Sequence, residues 1–378
     1  MTQKIYSGYG SYQKLTEILD DYSPKKIFLV TGKKSFSSST AEKLIGEILT
    51  RFNYDRFSEF ENNVKHKDLK RGIKIFLSGR FDFILAVGGG SVIDMAKAIS
   101  ILATQENKPE EYIRGTDKAS ARQISTIIIP TTAGTGSEST RFSVVYIDKV
   151  KYSLAHDSLL PDYAILDPTF TLELPPYITA CAAFDALSQA IESFWSTQSN
   201  EKSRALSKKA IGLAVDNIVK VVTNPDKDSR EKMLQASNLA GQAINIAYTT
   251  AAHAVSYPFT SFFNIPHGHA VALTLPRFLE LNFNVNEGNL QDRRGIGFVK
   301  DRINELIELL GQSGIDGTVE YLEKLIDVIG LKRKLSDLGI TEKDFDSIIA
   351  GGFNPLRMKN NPVAVTRENL REILNKMK

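Results

Sequence analysis

The chain has 378 residues, of which 42% are hydrophobic and 24% charged, and its formal net charge is +3. This composition is that of a globular protein, and so small a net charge gives no reason to expect a nucleic-acid partner. The single cysteine, Cys181, excludes an intrachain disulfide and is typical of a reducing compartment. No stretch of about 18 apolar residues predicts a membrane span, and residues 1–10 lack a signal-peptide core, so we expect a cytoplasmic protein.

The first part of the chain alternates short apolar strands with helices. Strands are predicted at Ile27–Thr31, Phe83–Val87, Thr126–Ile129, Phe142–Ile147 and Tyr163–Leu166, and helices at Thr40–Phe52, Leu69–Ser78 and Ser91–Ala103. Because the strands are apolar throughout, both faces of their sheet must be covered, as in a doubly wound parallel sheet. We therefore predict an α/β nucleotide-binding domain over residues 1–170.

After Leu172 the pattern becomes almost entirely helical. The clearest predicted helices are Ala180–Phe194, Glu201–Val222, Glu231–Tyr248 and Val299–Leu310. Runs of β-branched residues nearly vanish, so residues 171–378 are predicted to form an all-helical domain.

Two segments at strand ends have the composition of phosphate-binding loops. The first is Gly88-Gly89-Gly90, where glycines let backbone amides approach a phosphate at a helix N-terminus. Ser91 is the predicted N-cap of that helix, with Asp94 three residues on. The second loop is rich in hydroxyl groups and supplies Thr131, Thr132, Thr135 and Ser137. Together they predict a two-sided nucleotide cradle, although the glycine run is not the usual G-x-G-x-x-G fingerprint.

The residues after the first predicted strand, Ile27–Thr31, indicate which nucleotide is bound. An acidic residue at the end of the first strand typically binds the ribose hydroxyls of NAD and repels a 2′-phosphate. This chain has Gly32 there, followed by Lys33 and Lys34. The pattern favours NADP(H) over NAD(H), and the alternative is that these lysines are merely solvated.

Three of the five histidines, His253, His267 and His269, lie within the apolar segment Ala252–Pro276. Histidine is the commonest metal ligand, so His253 and His267 are candidate ligands. The alternative is a buried helix whose histidines are simply hydrogen-bonded.

Asp185, on an earlier predicted helix, is a candidate oxygen ligand for such a metal, although spacing alone does not single it out among the many acids of the chain. Asp185 and Gln189 are four residues apart and share one face of that helix. Mixed nitrogen and oxygen donors suit Zn²⁺ or Fe²⁺ better than Ca²⁺ or Mg²⁺.

These motifs resemble those of the iron-dependent (group III) alcohol dehydrogenase family over essentially the whole chain. The resemblance rests on G-G-G-S-V-I-D-M-A-K, T-T-A-G-T-G-S-E-S-T-R-F, L-P-D-Y-A-I-L-D-P, D-A-L-S-Q-A-I-E, H-A-V-S-Y-P and I-P-H-G-H-A. It implies Asp185, His253 and His267 as metal ligands, and Gly88–Ser91 as the pyrophosphate loop. It also implies that Lys151 lies near the nicotinamide ribose and that the protein is a homo-oligomer such as a dimer.

The chain departs from the family pattern at two positions. Family members usually have histidine where this chain has Gln189 and Tyr257. Gln189 is then either a weak fourth ligand, or the site has three protein ligands and an open position. For the proton carrier we consider Tyr257 and His269.

The predicted function is a metal-dependent NAD(P)(H) oxidoreductase that interconverts a primary alcohol and an aldehyde. The metal is Fe²⁺ or Zn²⁺, and no nucleic-acid or membrane partner is expected. A similarity to phosphonoacetaldehyde reductases suggests reduction of phosphonoacetaldehyde to 2-hydroxyethylphosphonate, with Arg141, Arg277 and Arg357 as candidates to bind the anionic group. Two alternatives stay open: a lyase similar to dehydroquinate synthase, and a nucleotide-binding protein with a degenerate metal site.

Overall fold

The computed structural model describes residues 3–37, 39–148, 150–353 and 355–378. The chain divides into two compact units, Met1–Leu174 and Pro175–Lys378. The division falls at Pro175-Pro176, where the missing amide protons prevent a helix from continuing backwards along the chain. Within the described residues we find no helix that is both long and apolar enough to cross a membrane.

The first unit is a parallel sheet with helices on both faces. Its strands are β1 (Lys4–Ser7), β2 (Ile27–Thr31), β3 (Tyr54–Phe57), β4 (Phe83–Gly88), β5 (Ser125–Pro130), β6 (Phe142–Ile147), β7 (Val150–Ala155) and β8 (Tyr163–Leu166). Its helices are α1 (Lys14–Tyr22), α2 (Lys34–Ser37), α3 (Thr40–Leu49), α4 (His66–Gly79), α5 (Gly90–Leu102) and α6 (Pro109–Arg114). Six strands pair in parallel in the order β1-β8-β5-β4-β2-β3.

Side chains alternate between two hydrophobic layers along each central strand. Phe28 and Ile84 belong to the layer that contains residues of α4 and α5, whereas Leu29 and Leu85 belong to the layer that contains residues of α1 and α3. Each fully buried aliphatic side chain contributes roughly 1.5–3 kcal/mol through removal from water. The predicted doubly wound sheet, covered on both faces, is confirmed.

Three strands were not predicted, and one predicted strand lies elsewhere. β1 and β3 are edge strands with the polar sequences K-I-Y-S and Y-D-R-F, so the apolar pattern of a buried strand is absent. The predicted strand at Phe142–Ile147 does not join the parallel sheet. It pairs antiparallel with β7, which was also missed, in a separate two-stranded hairpin.

The strand order reverses direction between β2 and β4. From β2 the chain goes first to β3 on one side and then to β4 on the other. Ligands of doubly wound sheets bind beyond the carboxyl ends of the strands at such a switch point. Gly32 follows the end of β2 and Gly88 ends β4, so both flank this point.

In the described residues of the second unit the regular elements are helices, and an isolated β-bridge joins Leu290 and Val363. Its helices are α7 (Pro176–Trp195), α8 (Glu201–Thr223), α9 (Lys227–Ala247), α10 (Ala251–Phe263), α11 (His267–Phe283), α12 (Ile296–Leu309), α13 (Ile315–Val328), α14 (Phe345–Gly352), α15 (Pro355–Met358) and α16 (Arg367–Lys376). Asn200 and Asp226 cap α8 and α9 in reciprocal capping boxes. Nearly all of α7 from Thr179 onwards is buried, so its polar side chains need partners inside the protein.

Candidate metal centre and nucleotide loops

Three helices bring together the side chains predicted to bind a metal. Asp185 lies on α7, His253 on α10, and His267 is the first residue of α11. One potential ligand atom from each lies within 4.8 Å of the others. Asp185 and His253 are both 3% exposed, and His253 Nε2 lies 3.3 Å from Asp185 Oδ1. The sequence separation of these two residues is 68, so only the tertiary fold creates this cluster.

The charges in this cluster support one another. Burial alone would raise the pKa of Asp185, but a hydrogen bond from His253 and the charges of His267 and His253 hold it below its usual value. Burial alone would lower the pKa of His253, but the charges and hydrogen bonds of Glu192 and Asp185 outweigh burial and raise that pKa to about 10. One carboxylate and two imidazoles whose ligand atoms lie this close together, largely away from solvent, are typical of a cation site.

Gln189 lies on α7 one turn after Asp185, and it is 4% exposed. Its Oε1 atom is buried and accepts no hydrogen bond from the described part of the chain. A buried carbonyl oxygen without a partner costs about 1–3 kcal/mol unless something else satisfies it. A divalent cation held by Asp185, His253 and His267 would supply that partner, so the residues present fit a metal.

Glu192 is a member of this site that the sequence analysis missed. It is 0% exposed and hydrogen-bonds His253 Nδ1, on the side of the ring opposite Asp185. Burial would raise the pKa of Glu192, but the charge and hydrogen bonds of His253 and Thr250 lower it. The spacing contained a signal, since Asp185 and Glu192 are seven residues apart and therefore share one helix face.

Gly268 allows α11 to approach α7 closely. A Cβ atom at Gly268 would lie 1.8 Å from the carbonyl oxygen of Cys181 and 3.0 Å from Asp185 Cβ. A glycine is therefore required where the two helices meet, immediately after His267. This close approach is what carries His267 to Asp185.

The two residues considered as proton carriers differ in their surroundings. The Tyr257 ring lies 6.0 Å from the His267 ring, beside the cluster. Both ring nitrogens of His269 are engaged, Nδ1 with the Tyr177 hydroxyl at 3.0 Å and Nε2 with the Lys332 carbonyl at 2.8 Å. Burial also lowers the pKa of His269, and its Nε2 donates to the Lys332 carbonyl, which can only accept. This geometry gives His269 a structural role and leaves Tyr257 as the better-placed candidate.

The predicted nucleotide loops lie against each other at the ends of β4 and β5. A Cβ atom at Gly89 would lie 3.3 Å from Thr132, and one at Gly90 would lie 2.8 Å from Thr135. The Thr131 amide donates to the Gly88 carbonyl at 3.1 Å. Glycine is thus needed for the hydroxyl-rich loop to pack on the glycine run, which places both at the start of α5.

Ser91 does not cap α5 as predicted. Gly89 is the N-cap residue and provides no side-chain cap, while Ser91 Oγ accepts a hydrogen bond from the Asn63 amide at 3.0 Å. Asp94 accepts from the Ser137 hydroxyl at 2.8 Å instead of closing a capping box. The consequence is a helix N-terminus without a side-chain cap, as a phosphate site requires.

A buried lysine side chain holds the hydroxyl-rich loop in place through hydrogen bonds to its backbone. Lys97, 1% exposed, donates to the carbonyls of Ser137 at 2.9 Å and Thr140 at 2.6 Å. Burial lowers the pKa of Lys97 to about 8, although Asp94 and Glu138 oppose that shift. Burial raises the pKa of Asp94, and the charges of Lys97 and, on β7, Lys151 oppose it. The sequence analysis missed Lys97, although it ends the quoted motif G-G-G-S-V-I-D-M-A-K.

Just beyond the end of β2, Lys33 is exposed and pairs with Glu59 at 2.8 Å. The Gly32 carbonyl accepts from Arg56 at 2.9 Å, and the same guanidinium donates to the Thr31 hydroxyl at 2.7 Å. Arg56 therefore fixes the backbone at the switch point, whereas the Lys33 side chain is free to exchange partners.

Comparison with protein-family models decides the family. The model described as iron-containing alcohol dehydrogenase matches residues 2–168, and that of the C-terminal domain of the Fe-containing alcohol dehydrogenase family matches residues 179–378. This chain belongs to the iron-containing alcohol dehydrogenase family. The predicted resemblance is confirmed, and so is the predicted class of alcohol dehydrogenase or aldehyde reductase.

Individual members of the iron-containing alcohol dehydrogenase family show how far the similarity extends. The chain is 29% identical to alcohol dehydrogenase 4 of Saccharomyces cerevisiae, over 98% of this chain and 96% of that protein. It is 32% identical to phosphonoacetaldehyde reductase of Streptomyces viridochromogenes, over 78% and 76%. Sulfoacetaldehyde reductase from Bifidobacterium kashiwanohense, solved in complex with NAD⁺, superposes with a TM-score of 0.87 at 30% identity, covering 99% and 96%.

Proposed function

We propose that this protein reduces an aldehyde to a primary alcohol with a nicotinamide nucleotide, using a divalent metal held by Asp185, His253 and His267. The observation that carries the proposal is the convergence of these three side chains within 4.8 Å, in a family of alcohol dehydrogenases. The buried, unpartnered Oε1 of Gln189 supports a metal and makes Gln189 the candidate fourth ligand. We propose Fe²⁺ or Zn²⁺, because both accept nitrogen and oxygen donors.

The reaction transfers a hydride from the nicotinamide to the carbonyl carbon, and a proton to the carbonyl oxygen. A metal bound at this site supplies Lewis-acid polarisation of that oxygen. Glycine and hydroxyl groups of residues 88–91 and 131–137 hold the nucleotide phosphates at the N-terminus of α5. Tyr257, whose ring lies beside His267, is the proposed proton donor.

The nucleotide we propose is NADP(H). Gly32 places no carboxylate at the position that would repel a 2′-phosphate, and the Lys33 ammonium is next to it. Lys33 is paired with Glu59, but both side chains are 64% exposed. An exposed pair contributes at most about 1 kcal/mol, so a phosphate can compete for this lysine.

The substrate we propose is a short aldehyde that carries an anionic group, with phosphonoacetaldehyde as the first candidate. Two relatives support this class, one named a phosphonoacetaldehyde reductase and one a sulfoacetaldehyde reductase. Of the candidate arginines, Arg141 pairs with Asp157 at 2.8 Å and Arg277 with Glu323. Arg357 is also engaged by another group. An anionic substrate would therefore have to displace an existing partner from any of the three.

The purified protein, depleted of metal and reloaded with Fe²⁺ or Zn²⁺, is expected to oxidise NADPH when an aldehyde is added. Phosphonoacetaldehyde and sulfoacetaldehyde are compared with propionaldehyde, which is similar in size but uncharged. Loss of NADPH absorbance measures turnover, and the alcohol product is identified by mass spectrometry. Equal turnover in the metal-depleted protein would rule out the proposed mechanism. Metal binding without nucleotide oxidation by any aldehyde would favour the lyase alternative.

Replacing Gly32 by aspartate is expected to lower the ratio of kcat/KM for NADPH to that for NADH by about 10–100-fold, or roughly 1.4–2.7 kcal/mol. The new carboxylate repels a 2′-phosphate and accepts hydrogen bonds from ribose hydroxyls. A Cβ atom here would lie 2.2 Å from Ser35 Oγ, which can rotate away. Gly32→Ala is the matched control, because it adds the same Cβ atom without the charge. If both variants shift the ratio equally, charge does not set the preference.

A further inference from the structure

The carboxylate of Glu192 is surrounded by hydrogen-bond donors. Its Oε1 accepts from the Thr250 amide at 3.0 Å, the Thr250 hydroxyl at 2.6 Å and the His253 amide at 3.2 Å. Its Oε2 lies within hydrogen-bond distance of His253 Nδ1. The three donors on Oε1, two of them backbone amides, favour the ionised carboxylate and fix it in place.

An ionised carboxylate can only accept hydrogen bonds, so the imidazole atom facing it must carry a proton. The proton of a neutral His253 ring is therefore on Nδ1. Without a metal, Nε2 donates to Asp185 Oδ1 at 3.3 Å, and a metal would bind Nε2 in place of that proton, because Glu192 holds the other proton on Nδ1. Glu192 thus selects the tautomer of His253 that is able to bind a metal.

The hydrogen bonds continue away from the cluster to a tryptophan. Trp195 Nε1 donates to Thr250 Oγ1 at 3.0 Å, and the Thr250 hydroxyl in turn donates to Glu192. Trp195 is 2% exposed and is the one tryptophan of the sequence. Because Trp195 Nε1 can only donate, Thr250 Oγ1 accepts from it and donates its own hydrogen to Glu192 Oε1.

We propose that Glu192 is the positioning residue for His253, that Thr250 and Trp195 hold it in place, and that Trp195 fluorescence reports metal binding. This inference rests on the proposed function in one respect, the binding of a divalent metal by Asp185, His253 and His267. Beyond the proposed function, it assigns a role to Glu192, which is not a metal ligand, and a fluorescence signal to Trp195.

The test is Glu192→Gln, studied with Zn²⁺ alone. Glutamine keeps the shape of glutamate but replaces one carboxylate oxygen with an NH₂ group. That NH₂ group can only donate, so it cannot accept the hydrogen bonds that Thr250 and His253 donate to Glu192. If that NH₂ faces His253 Nδ1, the ring proton moves to Nε2 and blocks the metal-binding atom. We expect Zn²⁺ affinity, measured by competition with a chelator, to fall about 10–100-fold. In the unaltered protein, Trp195 emission should change in proportion to the Zn²⁺ bound.

Ser193→Ala is the matched control. Ser193 is buried on the same helix, and its hydroxyl hydrogen-bonds Ser207 at 2.7 Å and not the Glu192 network. We expect this variant to lose some thermal stability while binding Zn²⁺ normally. Thr250→Val removes one donor to Glu192 but keeps the Thr250 amide, so its Zn²⁺ affinity should fall by a smaller factor than that of Glu192→Gln.

The outcomes separate this inference from the function on which it rests. If the unaltered protein binds no Zn²⁺, both the proposed metal site and this inference are wrong. If it binds Zn²⁺ and a folded Glu192→Gln variant binds it equally well, the inference alone is wrong. Should Glu192→Gln not fold, Thr250→Val decides in the same way. A Trp195 signal that does not follow Zn²⁺ occupancy overturns the reporter role.

Discussion

Replacing Gly268 by alanine is expected to weaken metal binding by about 100-fold or more, equivalent to at least about 2.7 kcal/mol. The added Cβ atom would lie 1.8 Å from the Cys181 carbonyl oxygen. That oxygen belongs to the backbone of α7, so no side-chain rotation relieves the overlap and α11 has to move away. Its first residue, His267, then moves away from Asp185. Metal content after dialysis and the affinity for Zn²⁺ measure the effect.

Gly212→Ala is the control for Gly268→Ala. Gly212 lies within α8 in the same unit, and a Cβ atom there would meet nothing within 4 Å. Alanine in a helix interior is favoured over glycine by about 1 kcal/mol, so this variant should be more stable and bind metal normally. Gly268→Ala should also lose about 1–3 kcal/mol of stability through overpacking. Normal Zn²⁺ affinity in Gly268→Ala would show that the site does not depend on this close approach.

Replacing His267 by alanine is expected to lower turnover by about a thousandfold, which corresponds to about 4 kcal/mol of lost charge stabilisation. The variant lacks one of the proposed protein ligands and should lose bound metal. Nucleotide binding should survive, because the glycine and threonine loops belong to the other unit of the chain. Metal analysis, kcat and a separate titration with NADPH distinguish these effects.

His269→Ala is the comparison for His267→Ala, since both residues lie at the start of α11. The ring nitrogens of His269 contact Tyr177 and Lys332, so we expect its removal to lower thermal stability and leave metal content unchanged. If His269→Ala instead retains its stability and loses turnover, His269 carries the proton. In that case Tyr257 does not have the role proposed for it.

The central sheet was predictable because its pattern is local. β2 and β8 were predicted with the bounds that the structure has, and β4 and β5 to within one residue at each end. These strands are buried on both faces, and a continuous apolar run is the signature of that environment. The edge strands β1 and β3 are partly solvated and mix polar with apolar residues, so sequence pattern alone did not separate them from loops.

The metal centre was only partly predictable. Histidine content indicated His253 and His267, but Asp185 is one of many acids and no spacing relates it to a histidine 68 residues away. The family resemblance supplied that relation. Glu192, which shares a helix face with Asp185, was overlooked, because a carboxylate on a helix is ordinarily solvated.

Residue type and short-range order in the chain were sufficient for the layered α/β unit, the helical unit and the candidate histidines, whereas Asp185 was identified through the family resemblance. They were sufficient because strand burial, helix periodicity and ligand chemistry depend on neighbours within a few positions. The tautomer of His253, the role of Gly268 and the displacement of Ser91 from the cap of α5 are long-range properties. Each depends on an atom from a distant part of the chain, whose position follows from packing rather than from local sequence.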